Sequence, residues 1–396
     1  MTRILFYLPN ITPWWFDHMV APLIRALAGE ADVHVMVPPL WRSTGITGDQ
    51  LAPFADGPDI QWHILDEIDP LTLRTAGSRD AALRARIDAI EADITICRCA
   101  DPDVVDAFPG TVRYIMEGAS HPIANGGCPV TFPTRLFEHG AMPKLSAAEA
   151  AALDEGFAGI WAYFEAEVRR RDVPSWRLAA GISSDRPVVA VPLEYDFEDS
   201  FTAGHQHYAT NIDLIDEAAA EFGEDVFLAF TNHPLNDLYG DTAGAEARIA
   251  ALGDRAAMIR SGFADIRATE LVARDCDGAV VDLTKSYLAY AYFGVPFVRP
   301  TRLPTADWLN AARDVGGFAT ALKAGTATPA RADATRLWFA HHIANAALDV
   351  SNRKLTADWV LDHLRQPPNP SRWAANLDQF ARQLRRHTAV KRRLAA

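Results

Sequence analysis

Short runs of β-branched and aromatic residues alternate with segments of helical period from the start of the chain. Ile4–Leu8, Val33–Val37, Trp62–Leu65, Ile94–Cys97 and Val112–Ile115 read as strands. Between them, Trp14–Leu27 and Ala81–Ile90 repeat their apolar positions at helical spacing. A longer helical pattern covers Ala147–Arg171, where Trp161, Phe164 and Val168 share one face. Strands alternating with helices in this way predict a parallel sheet covered on both faces.

The pattern breaks at Arg170-Arg-Asp-Val-Pro174-Ser175 and then begins again. Val188–Val191, Val226–Phe230, Ala257–Ile259, Ala279–Leu283 and Phe297–Val298 form a second strand set. Its helices are Ile212–Phe222, Ala243–Leu252, Ile266–Arg274 and Tyr287–Phe293. From Thr305 onward the chain reads as mostly helical, punctuated by Gln366-Pro-Pro-Asn-Pro-Ser371. The expectation is α/β, with two Rossmann-like doubly wound domains at 1–172 and 173–370 and a basic helix at 371–396. A cleft between the domains is the expected active site.

At 396 residues the chain is long for a single core, which agrees with two domains. No apolar run approaches the ~20 residues of a membrane span, and the polar residues after Met1–Pro9 argue against a signal peptide. Cys97, Cys99, Cys128 and Cys276 form no paired zinc motif, so free thiols in a cytoplasmic protein are expected. A net charge of −13 argues against a nucleic-acid partner. The end of the chain runs the other way: Arg385, Arg386, Lys391, Arg392 and Arg393 carry a local positive charge. Such a stretch is either a solvated helix end suited to the macrodipole or a contact for anionic lipid.

Gly-x-Gly-x-x-Gly is missing after the first strand, and no Walker loop, zincin motif or Gly-x-Ser-x-Gly elbow occurs. Asp101-Pro-Asp103 reads as a helix cap rather than a metal site. Two strand ends carry the candidate chemistry. Val226–Phe230 leads into Asn232-His233-Pro234, where proline fixes the turn and the imidazole either donates to a phosphate or caps the turn. Ala279–Leu283 leads into Thr284-Lys285-Ser286, whose hydroxyls either cap the next helix or receive phosphate.

The ordered set Val188-Val-Ala-Val-Pro192-Leu193-Glu194, Asp199-Ser200, Asn232-His233-Pro234 and Thr284-Lys285-Ser286 through Gly294-Val-Pro296 resembles bacterial capsule polysaccharide biosynthesis glycosyltransferases. The His-Pro and serine motifs are also similar to those of bacterial sialyltransferases. The likeness covers roughly residues 187–300. It departs from the family at Glu194, where glutamine is usual, at Asn232, and at Lys285 within the serine turn. The resemblance implies a GT-B fold and a CMP-activated acidic sugar such as Kdo. It also implies a donor site at Glu194, Asn232, His233, Thr284, Lys285 and Ser286.

In the first half, Glu117-Gly118 matches part of the sialyltransferase base motif, which implies Glu117 as general base; a capping glutamate is the other reading. Arg98 is a candidate for a substrate carboxylate or a surface ion pair. Trp14 opens an aromatic run that either stacks on sugar or packs in the core. The expected function is transfer of a sugar from a nucleotide donor to a glycan or lipid-linked acceptor in envelope polysaccharide synthesis. No cofactor or metal is expected, and the enzyme is expected in the cytoplasm at the inner membrane. A non-catalytic nucleotide- or sugar-binding module is the rival. A nucleotide-sugar epimerase is the other, kept open by His205 and His207.

Overall fold

The computed structural model describes all residues except 58, 173–174, 184–185, 197–202, 240–241, 261, 263–265, 353, 366–368 and 396, and only the backbone of 179, 203, 239 and 390–395. The Asp199-Ser200 motif therefore lies outside the described residues, as do the side chains of Lys391, Arg392 and Arg393.

The first unit is built on β1 (Thr2–Tyr7), β2 (Ala31–Val37), β3 (Ile60–Ile64), β4 (Ile94–Cys97) and β5 (Thr111–Tyr114). These form a parallel sheet in the order β3-β2-β1-β4-β5. Alternation along β1 divides its side chains between two cores. Ile4, Phe6 and Leu8 enter one with Val33, Val35 and Ile96. Leu5 and Tyr7 enter the other with Met36, Leu83 and Ile87. A strand buried on both faces has few polar positions, which is why these strands read as apolar runs.

A small antiparallel sheet follows: β6 (Met116–Glu117), β7 (Pro129–Thr131) and, from far along the chain, β13 (Leu348–Asp349). It was not foreseen, because strands of two or three residues leave no periodic signal.

The second unit repeats the first. Its strands are β8 (Val188–Pro192), β9 (Phe227–Thr231), β10 (Ala256–Met258), β11 (Gly278–Val280) and β12 (Phe297–Val298). They lie parallel in the order β10-β9-β8-β11-β12. The helices Asn211–Phe222 and Val315–Lys323 cover one face with Leu214, Ala218, Phe318 and Ala319. The helix Tyr287–Phe293 stops at Gly294, whose φ of 75° gives the left-handed cap that glycine adopts without strain.

The division between units differs from the expected boundaries at 172 and 370. One unit comprises Met1–Ala119, Ala124–Phe137 and His341–Ala396; the other comprises Ser120–Ile123 and Glu138–Ala340. The helix Ala147–Phe164 thus belongs to the second unit, and the chain returns to the first at His341. The return is held by β13 on β7 and by Val360, Leu361 and Leu364, which join the β1 core. The final helix, Pro370–Ala395, is no separate tail. Trp373, Leu377 and Leu384 are buried along it, and Trp373 Nε1 donates to Asn345 Oδ1 at 2.8 Å. Two Rossmann-like sheets in one chain, with a helical C-terminus rejoining the first, give the α/β fold of the GT-B class.

Candidate functional site

In the second sheet the chain moves outward from β8 through β9 to β10, then jumps back to β11 on the other side. The switch point lies between β8 and β11, and ligands of open α/β sheets bind outside the carboxyl ends of the strands there. Glu194 follows β8, Asn232 and His233 follow β9, and Thr284 follows β11. Strand order alone therefore brings all of these candidates to one sheet edge.

Glu194 is 6% exposed. Its Oε1 accepts N–H bonds from Leu283 and Thr284, both at 3.0 Å, so it ties the β8 loop to the β11 loop across the switch point. The side chain supports the site rather than lining it. Burial, followed by the nearby Asp282, pushes its carboxyl up to about 8, against the pull of the two N–H groups and Arg299. Two buried asparagines fix its backbone. Asn211 accepts from Glu194 N at 2.9 Å and donates to Glu194 O at 3.0 Å. Asn236 donates to the same carbonyl at 2.8 Å.

His233 is half-buried, and its ring lies 5.5 Å from that of Tyr195 with 26° between the planes. Its Nδ1 accepts from Leu235 N at 3.2 Å, so the neutral ring carries its proton on Nε2. The turn-capping role and a donor role thus use different ring nitrogens. Asn232 donates to Asp237 Oδ1 at 2.6 Å and accepts from Asn236 Nδ2 at 3.0 Å, which holds the loop beside the imidazole.

Thr284, Lys285 and Ser286 are half-buried at the start of Tyr287–Phe293. Thr284 Oγ1 accepts from Ser286 N at 3.4 Å. Ser286 occupies the cap position with no side-chain capping bond, and its buried Oγ has no hydrogen-bond partner among the described residues. The capping account of Ser286 therefore fails.

Sequence reasoning missed the charged floor beneath these groups. Arg299 is 0% exposed, with its guanidinium 4.3 Å from the Tyr287 ring centroid. Its Nη2 donates to Asp282 O at 2.7 Å and lies 3.0 Å from His139 Nδ1. Burial brings Arg299 down to about 10, while burial and Arg299 hold His139 well below the usual histidine value. Asp282, also fully buried, accepts His207 N at 2.7 Å, and burial raises its pKa. His207 is exposed and His205 half-buried. The available signal was a charge inside or directly after an apolar strand: Asp282 within Ala279–Leu283 and Arg299 after Phe297–Val298.

The remaining candidates belong to the first unit. Arg98 follows β4 at the β1/β4 switch point, half-buried, with its guanidinium 3.9 Å from the Trp15 ring and Nη1 donating to Ile115 O at 3.2 Å. Burial brings it down to about 10, against the opposing pull of Glu117. Glu117 is exposed on β6. Trp14 is 54% exposed and stacks on His18 at 4.6 Å, whereas Phe16 is buried in the core and Trp15 packs against it. Asp103 is the N-cap of the helix Val104–Ala107 but makes no side-chain capping bond; Asp101, from a buried position, accepts Ser78 N at 2.8 Å and Asp103 N at 3.0 Å. Among the described residues no group of three or more His, Cys, Asp or Glu is placed to hold a metal ion.

No family model matches the chain, and no curated protein matches it. Solved structures similar to it include the beta Kdo 2,7 transferase KpsC of Thermosulfurimonas dismutans, at 10% identity over 92% of this chain and 98% of that one, TM-score 0.47. HepE of Anabaena, in complex with UDP, is similar at 12% identity over 92% and 98%, TM-score 0.36. The UDP-GlcNAc 2-epimerase of Neisseria meningitidis, bound to UDP-GlcNAc, is similar at 10% identity over 85% and 97%, TM-score 0.34.

Proposed function

We propose that the protein is a glycosyltransferase whose second unit holds a nucleotide-sugar donor at the β8/β11 switch point. The observation carrying this reading is that His233 and the Thr284-Lys285-Ser286 turn follow strands on either side of β8, at the carboxyl end of one sheet, with Glu194 after β8 bonded to the Thr284 turn. In this reading His233 Nε2–H, Lys285 and the hydroxyls of Thr284 and Ser286 face the donor phosphate, and Asn232 holds the imidazole. Protein donors aimed at a departing phosphate stabilise the charge that develops as the glycosidic C–O bond breaks, without a metal. The acceptor oxygen forms the new bond to the sugar carbon, and the nucleotide leaves with the phosphate. If configuration inverts, Glu117 takes the proton of the acceptor hydroxyl; if it is retained, Glu117 orients substrate.

The ordered motifs favour a CMP-activated acidic sugar such as Kdo, and a glycan or lipid-linked acceptor in envelope polysaccharide synthesis. Thermal shift against CMP, UDP, GDP and TDP tests the donor. A ligand at a hundredfold over its Kd adds about 2.7 kcal/mol, so stabilisation by one nucleotide and not the others is expected. No stabilisation by any nucleotide would sink the reading. Binding without turnover would leave a binding module. Acceptor-independent conversion of the donor sugar to its epimer would make the protein an epimerase.

A further inference from the structure

The helical turns that follow β1 present an outward face that the donor site does not use. They begin at the carboxyl edge of the first sheet, where ligands of open α/β sheets bind. Phe16, Met19 and Val20 turn into the β1 core, whereas Trp14, Asp17 and His18 are all exposed. Thr12 opens the first turn, its Oγ1 accepting from Trp15 N at 3.2 Å, and Pro13 presets the backbone at the next position. The helix then widens: Ala21 N donates to Phe16 O, closing a π turn over Phe16–Val20. Such turns are rare and recur at functional sites.

The side chains of this face are held in place by the protein itself. The Trp14 indole and the His18 imidazole stack at 4.6 Å with 14° between their planes. His18 Nδ1 lies 2.8 Å from Trp14 O; a carbonyl only accepts, so Nδ1 carries the proton and Nε2 of the neutral ring is an acceptor. Asp17 Oδ2 accepts from Gln50 Nε2 at 3.2 Å. Gln50 is 7% exposed, and its Oε1 accepts from Thr47 N at 3.0 Å and from Thr47 Oγ1 at 2.9 Å. A buried amide locked at one end thus sets the carboxylate at the other. Trp14 is 54% exposed with His18 on one face, and among the described residues no other ring and no cation lies against it. The second face of the indole is left to solvent.

We infer that Trp14, Asp17 and His18 bind a neutral pyranose of a glycan. The apolar face of the sugar packs on the open face of the indole, while its hydroxyls donate to the Asp17 carboxylate and to His18 Nε2. Both polar groups accept, which suits hydroxyls and not acids: a sugar carboxylate or phosphate beside Asp17 meets like charge. A lipid chain would cover the indole but desolvate the carboxylate without giving it a donor. The site stands on the first unit alone; that the bound sugar belongs to the acceptor rests on the proposed transferase reading.

Saturation-transfer NMR titration of the full chain with methyl β-galactoside, methyl β-glucoside and methyl β-glucuronide tests it. At least one neutral glycoside should bind, and the glucuronide should bind at least tenfold more weakly. Trp14→Ala changes an exposed side chain and should fold normally while losing at least tenfold in affinity for the neutral glycoside, with Trp14→Phe between the two. Asp17→Asn removes the charge and keeps an acceptor, so it should narrow the gap between neutral and charged glycosides, a change that loss of a merely structural contact would not produce. His233→Ala should leave glycoside binding unchanged while weakening nucleotide binding, so failure of the donor reading is separable from failure here. Equal affinity in wild type and Trp14→Ala overturns the inference. So does the glucuronide binding as tightly as the neutral glycosides, or no glycoside binding at all.

Discussion

Glu194 Oε1 sits 3.0 Å from Thr284 N, across the point where the second sheet reverses its strand order. With the carboxyl pushed up to about 8, residue 194 is neutral near pH 7 and presents one accepting oxygen and one O–H. A glutamine amide offers the same pairing of acceptor and donor. The departure at 194 from the family pattern is therefore small in chemistry although it adds a formal acid.

The pH dependence follows from that shift. A folded-state value near 8 against an ordinary 4.5 means the contribution to stability is fully present below about 4.5 and is lost as pH rises through about 8. Glu194→Gln should flatten the fall in melting temperature between pH 6 and 9 and keep the fold. Glu194→Ala should cost about 1–3 kcal/mol at pH 6, because the N–H groups of Leu283 and Thr284 lose their acceptor. Parallel pH profiles for wild type and Glu194→Gln would show that the carboxyl is ionised throughout.

His233→Ala should reduce turnover about 10²-fold with the natural donor, in proportion to one lost donor at the leaving group. Its effect on melting temperature should be slight, since the ring is only half-buried at the end of a strand. Ser286→Ala should be milder in rate, and it should not destabilise as loss of a helix cap would, because the hydroxyl makes no capping bond. A melting loss of cap size, with activity intact, would remove Ser286 from the site.

The strands of both sheets were legible because a parallel strand buried on two faces must be apolar throughout. The helix Tyr287–Phe293 was legible to the residue, since Gly294-Val-Pro296 permits only a stop. Assignment to units was not. The helix Ala147–Phe164 shows a buried face at Leu153, Phe157, Ile160 and Phe164, yet its period does not say which sheet it covers. The return of residues 341–396 depends on a two-residue strand pairing, below any sequence signal. At the site, His233 and Ser286 stood out because motif and strand end coincide. Asn211, Asn236, Asp282 and Arg299 did not, because each is a polar residue whose partner lies on another element.

Glu117 is the sharper test of mechanism. Its carboxylate is exposed on β6, and its charge opposes the lowering of the Arg98 pKa by burial. Glu117→Gln should lower kcat by about 10²–10⁴-fold with donor affinity nearly constant, as expected of a general base. A change confined to the affinity for an acidic acceptor, with kcat preserved, would instead place Glu117 in the electrostatics of Arg98.

The docking of the last helix sharpens the prediction for the basic end. Trp373, Leu377 and Leu384 are buried, whereas Arg385 and Arg386, at the next positions, are exposed. Deleting 385–396 should leave the contacts of Trp373, Leu377 and Leu384 in place and lower the melting temperature only a little, through loss of half-buried His387, which packs against Gly126. It removes Arg385, Arg386, Lys391, Arg392 and Arg393, each worth about 1 kcal/mol at an anionic surface. Among the described residues no helix is long and apolar enough to cross a membrane. Vesicles containing phosphatidylserine should retain the full chain at low salt and release it as salt shortens the screening length to about 8 Å. The truncated chain should not bind. Equal partition of both forms onto anionic and neutral vesicles would reduce the segment to a solvated helix end, and a soluble glycan would replace the lipid-linked acceptor.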